Sequence, residues 1–256
     1  MRVAVITVGD ELLAGETVNT NAAWLGRRLA DRGAPVDRVI VVPDRVSAIA
    51  REVNEARARY DAVIVTGGLG PTHDDLTMEG VAAAVGRSVE SHPEARRWID
   101  EHTDYEAASL VAGTTHLPAG ARMLPNVEGV APGAVVGEDQ DGVPIYVLPG
   151  VPTEMKAMFE RIEDEFTGTV RTRRFFHADE PESALIDRFE TVQERFDVAV
   201  GSYPGGTVKV KVHGDDADEV DRATAWLRER VTLVEGEPSP AEDAGTGPPT
   251  GDHDGR

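Results

Sequence analysis

The sequence predicts an α/β protein: a parallel-sheet, three-layer αβα domain followed by a small α+β domain. Over the first two thirds of the chain, short apolar runs alternate with amphipathic helical segments, and repeated β-α units build a parallel sheet with helices on both faces. After Gly168 apolar and polar residues alternate instead, which is typical of half-buried antiparallel strands. From residue 235 to 256 Gly, Pro, Asp and Glu dominate without hydrophobic periodicity, which predicts a disordered acidic tail. The predicted domains are therefore 1–168 and 169–234, followed by the tail.

Apolar runs and helical spacing place the elements of the first domain. The predicted strands are Val3–Val8, Val36–Val42, Ala62–Thr66, Ala134–Val136 and Val143–Leu148. The predicted helices are Ala22–Arg32 (capped by Thr20 or Asn21), Arg45–Arg59, Met78–Val85, Glu94–Ala108 and Thr153–Phe166. For the small domain we predict strands Arg173–Ala178, Val198–Ser202 and Val208–His213, with helices Glu182–Arg195 and Ala217–Val231.

Composition restricts the chemistry that is available to the chain. The sequence contains no cysteine, which excludes a disulfide framework and thiolate catalysis. Its net charge is −20, with 46 acidic against 26 basic residues, and this excess argues against broad nucleic-acid binding. The first apolar run is too short for a membrane span or a signal sequence. We therefore expect a cytoplasmic protein with no nucleic-acid or membrane partner.

The acidic, lysine-poor composition also predicts a halophilic source and a stability that depends on salt. At about 0.01 M salt the Debye length is roughly 30 Å, so the excess carboxylates repel one another without screening. We expect the unfolding temperature to rise by several degrees between low and molar KCl. Thermal melts across that range measure the effect, and a flat response would show that the acidic surface is no salt adaptation.

The most informative motif is the sequence TGGLGPTHDDLT at positions 66–77, between a predicted strand and a predicted helix. Gly67, Gly68 and Gly70 leave room for a ligand to approach the backbone, and their N–H groups are predicted to bind phosphate. Asp75 is our first choice as a ligand of Mg²⁺ or another divalent cation. The alternative for Asp75 is an ordinary helix N-cap, and His73 is interpreted as a solvated loop residue.

Three further loops follow predicted strands and supply candidate residues. Asp10 and Glu11 follow the first strand and are candidate metal ligands, although Asp10 is equally consistent with an ordinary loop carboxylate. Asp44 follows the second strand and, with Asp74, is a candidate base for an attacking water. Gly150 follows a later strand and is predicted to donate to phosphate. The hydroxyl of Thr153 is interpreted as either an N-cap or a ligand.

Four segments resemble, in order, the molybdopterin-binding Mog/MoaB-type domain, and more closely the N-terminal part of competence/damage-inducible protein A. They are GDELLAGETVNTNAAWL, TGGLGPTHDDLT, LPAGARMLPNVEGVAPG and LPGVPTEM, and they span about Met1 to Phe166. The segment VGSYP and the next strand resemble the KH-like domain of the same family. No counterpart of the deamidase domain of longer members is seen, so no deamidation of nicotinamide mononucleotide is expected.

The resemblance implies a pterin or nucleotide site with acidic residues at Asp44 and Asp75. It also places Asn126 in a loop near the ligand, where an Asx-turn is an equally good interpretation. Lys209 and Lys211 share one face of a predicted strand and are candidate phosphate ligands. The alternative is that these lysines protect a sheet edge.

Three functional hypotheses follow from this resemblance. The leading one is a Mg²⁺-dependent hydrolase of a nucleotide pyrophosphate such as ADP-ribose. The second is a molybdopterin adenylyltransferase, and the third is a non-catalytic protein with molybdopterin as its ligand. All three predict a small nucleotide or pterin phosphate as partner, and we expect a homo-oligomer.

Overall fold

The computed structural model describes residues 1–70, 72–103, 105, 110–111, 113–137 and 142–234. The chain divides into two compact units, one of Met1–Gly168 and one that begins at Thr169. The predicted tail at 235–256, and residues 104 and 106–108 of the predicted helix Glu94–Ala108, lie outside the described residues. Within the described part of the chain, no helix has both the length and the apolar character that crossing a membrane requires.

The first unit contains eight strands and six helices in its described residues. The strands are β1 (Val3–Val8), β2 (Val36–Val42), β3 (Ala62–Thr66), β4 (Val89–Ser91), β5 (His116–Pro118), β6 (Arg122–Leu124), β7 (Gly133–Val136) and β8 (Ile145–Leu148). The helices are α1 (Asp10–Leu13), α2 (Thr20–Asp31), α3 (Val46–Arg57), α4 (Thr77–Val85), α5 (Pro93–His102) and α6 (Pro152–Glu160). Of these, α1 and the short strands β4, β5 and β6 were not predicted.

A six-stranded sheet in the order β2-β1-β3-β8-β7-β6 forms the centre of this unit. The strands β2, β1, β3 and β8 pair in parallel, which confirms the parallel β-α arrangement. In contrast, β7 and β6 run antiparallel and extend the sheet. Only residues 137–144 join β7 to β8, and a parallel crossover needs about a dozen residues or more. The short connection therefore dictates a hairpin.

Helices cover both faces of the sheet and give the three predicted layers. On one face Ile49 of α3 and Val81 of α4 are buried against the sheet. On the other face Leu25 of α2 and Phe159 of α6 are buried in a second cluster. Each helix presents one apolar stripe to the sheet, as amphipathic spacing requires.

Several helix ends differ from the sequence prediction. Helix α2 is capped by Asn19, whose Oδ1 accepts a hydrogen bond from Ala22 N at 3.1 Å, rather than by Thr20 or Asn21. The predicted helix Thr153–Phe166 ends at Glu160 and is followed by a separate 3₁₀ turn. These ends depend on local hydrogen bonds that hydrophobic spacing does not report.

Helices α3 and α4 approach each other closely at Gly80. A Cβ at this position would lie 2.6 Å from the Cβ of Ile49, whereas a Cβ at Gly26 of α2 would meet nothing within 4 Å. We expect Gly80→Ala to lower the free energy of unfolding by about 1–3 kcal/mol through overpacking. Gly26→Ala should raise it by up to about 1 kcal/mol, because alanine favours helix. Urea unfolding of both variants checks the opposite signs, and a stabilised Gly80→Ala protein would contradict the close approach.

The second unit is a small α+β domain, as predicted. Its strands are β9 (Thr172–Ala178), β10 (Ala199–Pro204) and β11 (Val208–Gly214), and its helices are α7 (Ile186–Arg195) and α8 (Ala217–Arg228). The strands form an antiparallel sheet in the order β10-β11-β9. Phe176, Val210 and Leu227 lie fully buried in its core. A separate 3₁₀ turn, Glu182–Ala184, precedes α7, where the sequence predicted one continuous helix.

Candidate functional site

The loops after the four parallel strands meet at one edge of the sheet. Gly9 N, after β1, donates to Val42 O at the end of β2, with an N–O distance of 3.1 Å. Gly67 N, after β3, donates to Leu148 O at the end of β8, also at 3.1 Å, so the prediction that the Gly67 N–H binds phosphate is wrong. Parallel strands place their carboxyl ends together, and ligands of open α/β sheets bind outside that edge.

The glycine loop after β3 has a backbone that only glycine adopts without strain. Gly67 and Gly68 have φ angles of 98° and 63°, in the left-handed region that costs other residues free energy. A Cβ on Gly68 would collide with Thr77 Oγ1, and one on Gly150 would lie 3.2 Å from Gly67 Cα. The loops after β3 and β8 therefore pack with their backbones in close contact, which leaves no room for side chains.

Asp44 lies at the centre of an acidic cluster at this edge. Its Oδ2 accepts a hydrogen bond from Asp10 N at 2.9 Å. Burial raises the pKa of Asp44, the Asp10 N–H partly offsets this, and the charges of Asp10, Glu11 and Asp75 raise it further. The cluster brings together, from three different loops, four of the five carboxylates that the sequence predicted as base or metal ligands; Asp74 is not among them.

Asp75 fixes the conformation of the glycine loop and does not cap a helix. Its Oδ2 accepts hydrogen bonds from Thr72 N at 3.0 Å and from the Thr72 hydroxyl. Helix α4 begins at Thr77 after Leu76, and no side chain caps its N-terminus. The N-cap interpretation of Asp75 is therefore wrong, because its carboxylate accepts hydrogen bonds from Thr72, three residues earlier in the loop.

Asp74 and His73 project from the same loop into solvent. The side chain of His73 is fully exposed, and its Nδ1 lies 4.0 Å from Asp74 Oδ1. A hydrogen bond from the Thr72 side chain, followed by one from its own backbone, lowers the pKa of Asp74. A carboxylate with a lowered pKa is a weaker proton acceptor. Asp44 is therefore the better candidate for the base, and the role of Asp74 stays a prediction.

A metal site here would depend on the ligand as well as on the protein. Among the described residues, no group of three or more acidic or histidine side chains is arranged to hold a metal ion by itself. Mg²⁺, however, usually takes one or two carboxylates and completes its shell with waters and substrate phosphates. In addition to burial, the negative charges of Asp10, Glu11 and Asp75 raise the pKa of Asp44. A cation bound among these carboxylates would relieve their repulsion. Magnesium, with Asp10, Glu11 and Asp75 as its ligands, stays a prediction.

Asn126 positions another carboxylate, Glu154 of α6. Asn126 is almost fully buried, and its Nδ2 donates to Glu154 Oε2 at 2.7 Å and to Ala131 O at 2.9 Å. Its Oδ1 accepts a hydrogen bond from Glu128 N at 3.3 Å. This is the contact that the Asx-turn interpretation predicts. With these contacts satisfied, the Asn126 side chain is better explained as a support for Glu154 than as a direct ligand.

The loop after β8 contributes its backbone to the site. Gly150 O accepts a hydrogen bond from Asn21 Nδ2 at 2.7 Å, which ties this loop to the start of α2. Thr153 is exposed in the first turn of α6, and no side chain caps that helix. The N-cap interpretation of Thr153 is therefore wrong, and its role as a ligand stays a prediction.

Three cavities border the glycine loop, and two of them share Gly68, Asp75 and Gly150 in their walls. The larger has a volume of about 670 Å³, and its remaining walls include the apolar residues Leu69, Leu110, Val111, Val130, Ala131 and Val151. The smaller has a volume of about 260 Å³, and polar residues line much of it: Thr7, Glu11, Thr17, Asn19, Thr20 and Asn21. The backbones of the glycine loop and of the loop after β8 therefore separate an apolar cavity from a polar one.

Sequence reasoning missed two residues in the first turns of helices that carry unsatisfied polar atoms at this edge. Thr77 Oγ1 and Asn21 Oδ1 are buried and have no hydrogen-bond partner among the described residues, and such atoms are rare because leaving them unpaired costs free energy. Thr77 also donates its N–H to Gly68 O at 3.3 Å. Both residues stand inside the motifs quoted above, but helical patterning alone shows them as ordinary first-turn positions.

A match to a known family decides what the first unit is. Residues 4–167 match the family described as a probable molybdopterin binding domain. This chain belongs to that family. Residues 172–235 match the middle domain of FAD synthase. The family supports a small pterin or nucleotide as the ligand class of the first unit.

Relatives of this family cover most of the chain. A protein from Archaeoglobus fulgidus is 36% identical over 90% of this chain and 97% of its own length. A CinA-like protein from Citrifermentans bemidjiense is 45% identical over 91% of this chain, which spans only 58% of that relative. The crystal structure of CinA from Thermoplasma acidophilum, titled as a protein of unknown function, is 37% identical with a TM-score of 0.60. It covers 64% of this chain and 97% of its own. The first unit is therefore a CinA-related member of the molybdopterin-binding domain family.

Lys209 and Lys211 belong to the second unit. Both lie half-buried on β11, which pairs with β10 on one side and β9 on the other. The interpretation that they protect a sheet edge is therefore wrong, because β11 is the central strand. Their role in substrate binding stays a prediction, as does the homo-oligomer.

Proposed function

We propose that the molybdopterin-binding-type domain of this chain hydrolyses a nucleotide pyrophosphate such as ADP-ribose, with Mg²⁺ as its metal. The observation that carries this proposal is the pair of cavities that meet at Gly68, Asp75 and Gly150. A nucleotide pyrophosphate has two organic end groups joined by a diphosphate. A cradle of backbone N–H groups between two compartments suits that shape.

The two compartments favour different end groups. The larger cavity has mostly apolar walls, which suit a flat nucleobase. The smaller cavity carries Thr17, Asn19 and Thr20, whose side chains suit the hydroxyl groups of a sugar. The diphosphate would then lie at the glycine loop, with the N–H groups of Gly68, Gly70 and Gly150 around it.

The acidic cluster supplies the chemistry. A water oxygen attacks one phosphorus, the bridging P–O bond of the anhydride breaks, and a nucleoside monophosphate and a sugar phosphate leave. Asp44 accepts the proton of the attacking water, because burial and its acidic neighbours raise its pKa toward the working range of a base. A bound Mg²⁺, held by carboxylates among Asp10, Glu11 and Asp75, would neutralise phosphate charge.

A second candidate is adenylyl transfer to molybdopterin. Family membership favours it, and so does Glu154, which lines the larger cavity and is held there by Asn126. A fixed carboxylate accepts hydrogen bonds from ring N–H and amino groups, and a pterin carries such groups. A non-catalytic pterin-binding protein is the third candidate.

A product assay separates the candidates. The full chain is incubated at molar KCl with ADP-ribose, and in parallel with molybdopterin plus ATP, each with Mg²⁺ or with EDTA. We expect AMP and ribose 5-phosphate in the first reaction and none of either with EDTA. Release of pyrophosphate only in the second reaction would establish the transferase instead. Saturable pterin binding with no product in either reaction would establish the binding protein.

A further inference from the structure

One face of the small-domain sheet carries a cluster of cationic and aromatic side chains. Along β11 the residues Val208, Val210 and Val212 are buried in the core, so the residues between them lie on the opposite face. The strand pairing places side chains of β9 next to these residues. We call this surface the basic sheet face, and it comprises Arg173, Phe175, His177, Lys209, Lys211 and His213.

Positive charge is crowded on the basic sheet face, although the chain has a net charge of −20. Burial, followed by the charges of Arg173 and Arg171, lowers the pKa of Lys211. Burial and the charges of Lys211, Arg171 and Arg173 lower the pKa of His213, which Asp215 opposes. The positive neighbours of Lys211 and His213 make this face electrostatically favourable for an anion.

The two lysines have no carboxylate partner within the described residues. Arg171 forms an ion pair with Asp215 at 2.8 Å, whereas Lys209 Nζ lies over the ring of Phe175, 4.4 Å from its centroid. The chain has only three lysines, and two of them are neighbours on this face. With no carboxylate partner among the described residues, both ammonium groups are available to an anion from solution.

We propose that the basic sheet face is a binding site for a small organic di- or triphosphate, with ADP as its simplest nucleotide representative. Lys209 and Lys211 are about 6.8 Å apart along the strand, a spacing that places one ammonium group near each of two neighbouring phosphates. Tyr203 lies beside Lys209 in the strand pairing and is half exposed, so its ring is available to a nucleobase. All of these residues belong to the small domain, and the proposal does not rest on hydrolysis by the first unit.

Charge favours a small ligand over a nucleic acid. Nucleic-acid binding needs many cations along the phosphate backbone, and here the unpaired lysines are confined to one strand. The remaining excess of acidic residues would repel a long polyanion. A ligand with two or three phosphates fits the few cations that are present.

The scarcity of lysine provides a clean test. The full chain is treated with an amine-acetylating reagent in EDTA, with and without ADP, and the labelling rate of each lysine is followed by mass spectrometry. We expect ADP to slow the labelling of Lys209 and Lys211 by about tenfold at about nine times its Kd. Lys156, in α6 of the first unit, should label at an unchanged rate and serves as the internal control. Unchanged rates at Lys209 and Lys211 up to millimolar ADP would overturn the proposal.

Further labelling experiments identify the ligand class and distinguish this site from the site of the first unit. Adenosine should give no protection, because it lacks phosphate. Protection by a uridine oligonucleotide at far lower concentration than ADP would overturn the small-ligand proposal in favour of a nucleic-acid site. In Asp75→Asn the protection should persist even though hydrolysis is lost, so the two proposals fail separately.

A pair of matched variants tests the charge contribution. Lys211→Gln should weaken ADP binding by about tenfold or more, as judged by protection of Lys209, because it removes one of two phosphate-facing charges. Arg222→Gln removes the same charge from α8, where Arg222 pairs with Glu219, and should leave the protection unchanged. Equal weakening in both variants would mean that only the overall charge matters and would overturn the site.

Discussion

Asp44→Asn is expected to lower kcat for nucleotide pyrophosphate hydrolysis by at least about 100-fold, the usual contribution of a general base. Asparagine retains an oxygen that accepts the hydrogen bond from Asp10 N, which is 2.9 Å from Asp44 Oδ2. It cannot take a proton from water. Steady-state kinetics with ADP-ribose at saturating Mg²⁺ measure the loss.

The same substitution should not lower stability at neutral pH. The pKa of Asp44 is raised in the folded protein, so its ionised form is less favourable in the folded than in the unfolded chain. That unfavourable contribution is fully present above the folded pKa, decreases as the pH falls below it, and is gone below the unfolded pKa. Asp44→Asn removes it, and the unfolding temperature at pH 7 should stay level or rise. Stabilisation with loss of activity is the usual behaviour of a functional carboxylate.

The pH profile gives a second measurement on the wild-type protein. A base must be deprotonated to accept a proton, so kcat should fall on the acid side as Asp44 becomes protonated. Burial raises the pKa of this carboxyl, whereas Mg²⁺ bound to its acidic neighbours would offset their contribution. In Asp44→Asn the remaining activity should lack this acidic limb. A wild-type profile that is flat down to the ordinary range of an aspartate would argue for another base.

Two control variants remove the same charge elsewhere in the first unit. Asp37→Asn lies on β2 before Asp44 and breaks only an exposed ion pair with Arg2, in which the N–O distance is 3.8 Å. Asp74→Asn changes the exposed carboxylate of the glycine loop. Both should retain kcat close to wild type. If Asp74→Asn and not Asp44→Asn lost activity, the base would be Asp74, as the sequence equally allowed.

Much of the site could be predicted because strand order follows from apolar runs. The runs at Val36–Val42 and Ala62–Thr66 predict parallel strands, and parallel strands end at one edge. Asp44 and Asp75 therefore had to lie near each other, although 30 residues separate them in sequence. In the structure both strands flank β1, which brings the two carboxylates into one cluster.

The parts that could not be predicted depend on tertiary pairing and on loop hydrogen bonds. An alternating strand looks the same in the centre and at the edge of a sheet, so the position of Lys209 required the pairing of β11. An aspartate before a helix resembles an N-cap, but Thr72 supplies the partners of Asp75. The hydroxyl of Thr77 is buried without a hydrogen-bond partner among the described residues, and its burial depends on the tertiary fold. None of these features has a local sequence signal.

Gly68→Ala should also abolish activity, and for a reason that separates shape from charge. Gly68 has a φ angle of 63°, which costs alanine about 1–2 kcal/mol. Its added Cβ would collide with Thr77 Oγ1 and lie 3.3 Å from Asp44 Oδ1. Because Thr77 is fully buried, the loop rather than the threonine must move. A displacement of about 1 Å at a positioned group costs on the order of 100-fold in rate, so we expect kcat/KM to fall at least that far.

The matched control for Gly68→Ala is Gly86→Ala, at the C-terminus of α4. Gly86 has a φ angle of 67°, and a Cβ there would meet nothing within 4 Å. Both variants should lose about 1–2 kcal/mol of unfolding free energy from backbone strain, as measured by urea unfolding, and Gly68→Ala should lose more because its Cβ collides with Thr77 Oγ1. Only Gly68→Ala should lose activity. Because both variants carry the same backbone strain, a difference in kcat/KM measures the effect of the added methyl group at the glycine loop. Equal activity in the two variants would show that the substrate does not approach the glycine loop, and the assignment of the diphosphate to that loop would have to be abandoned.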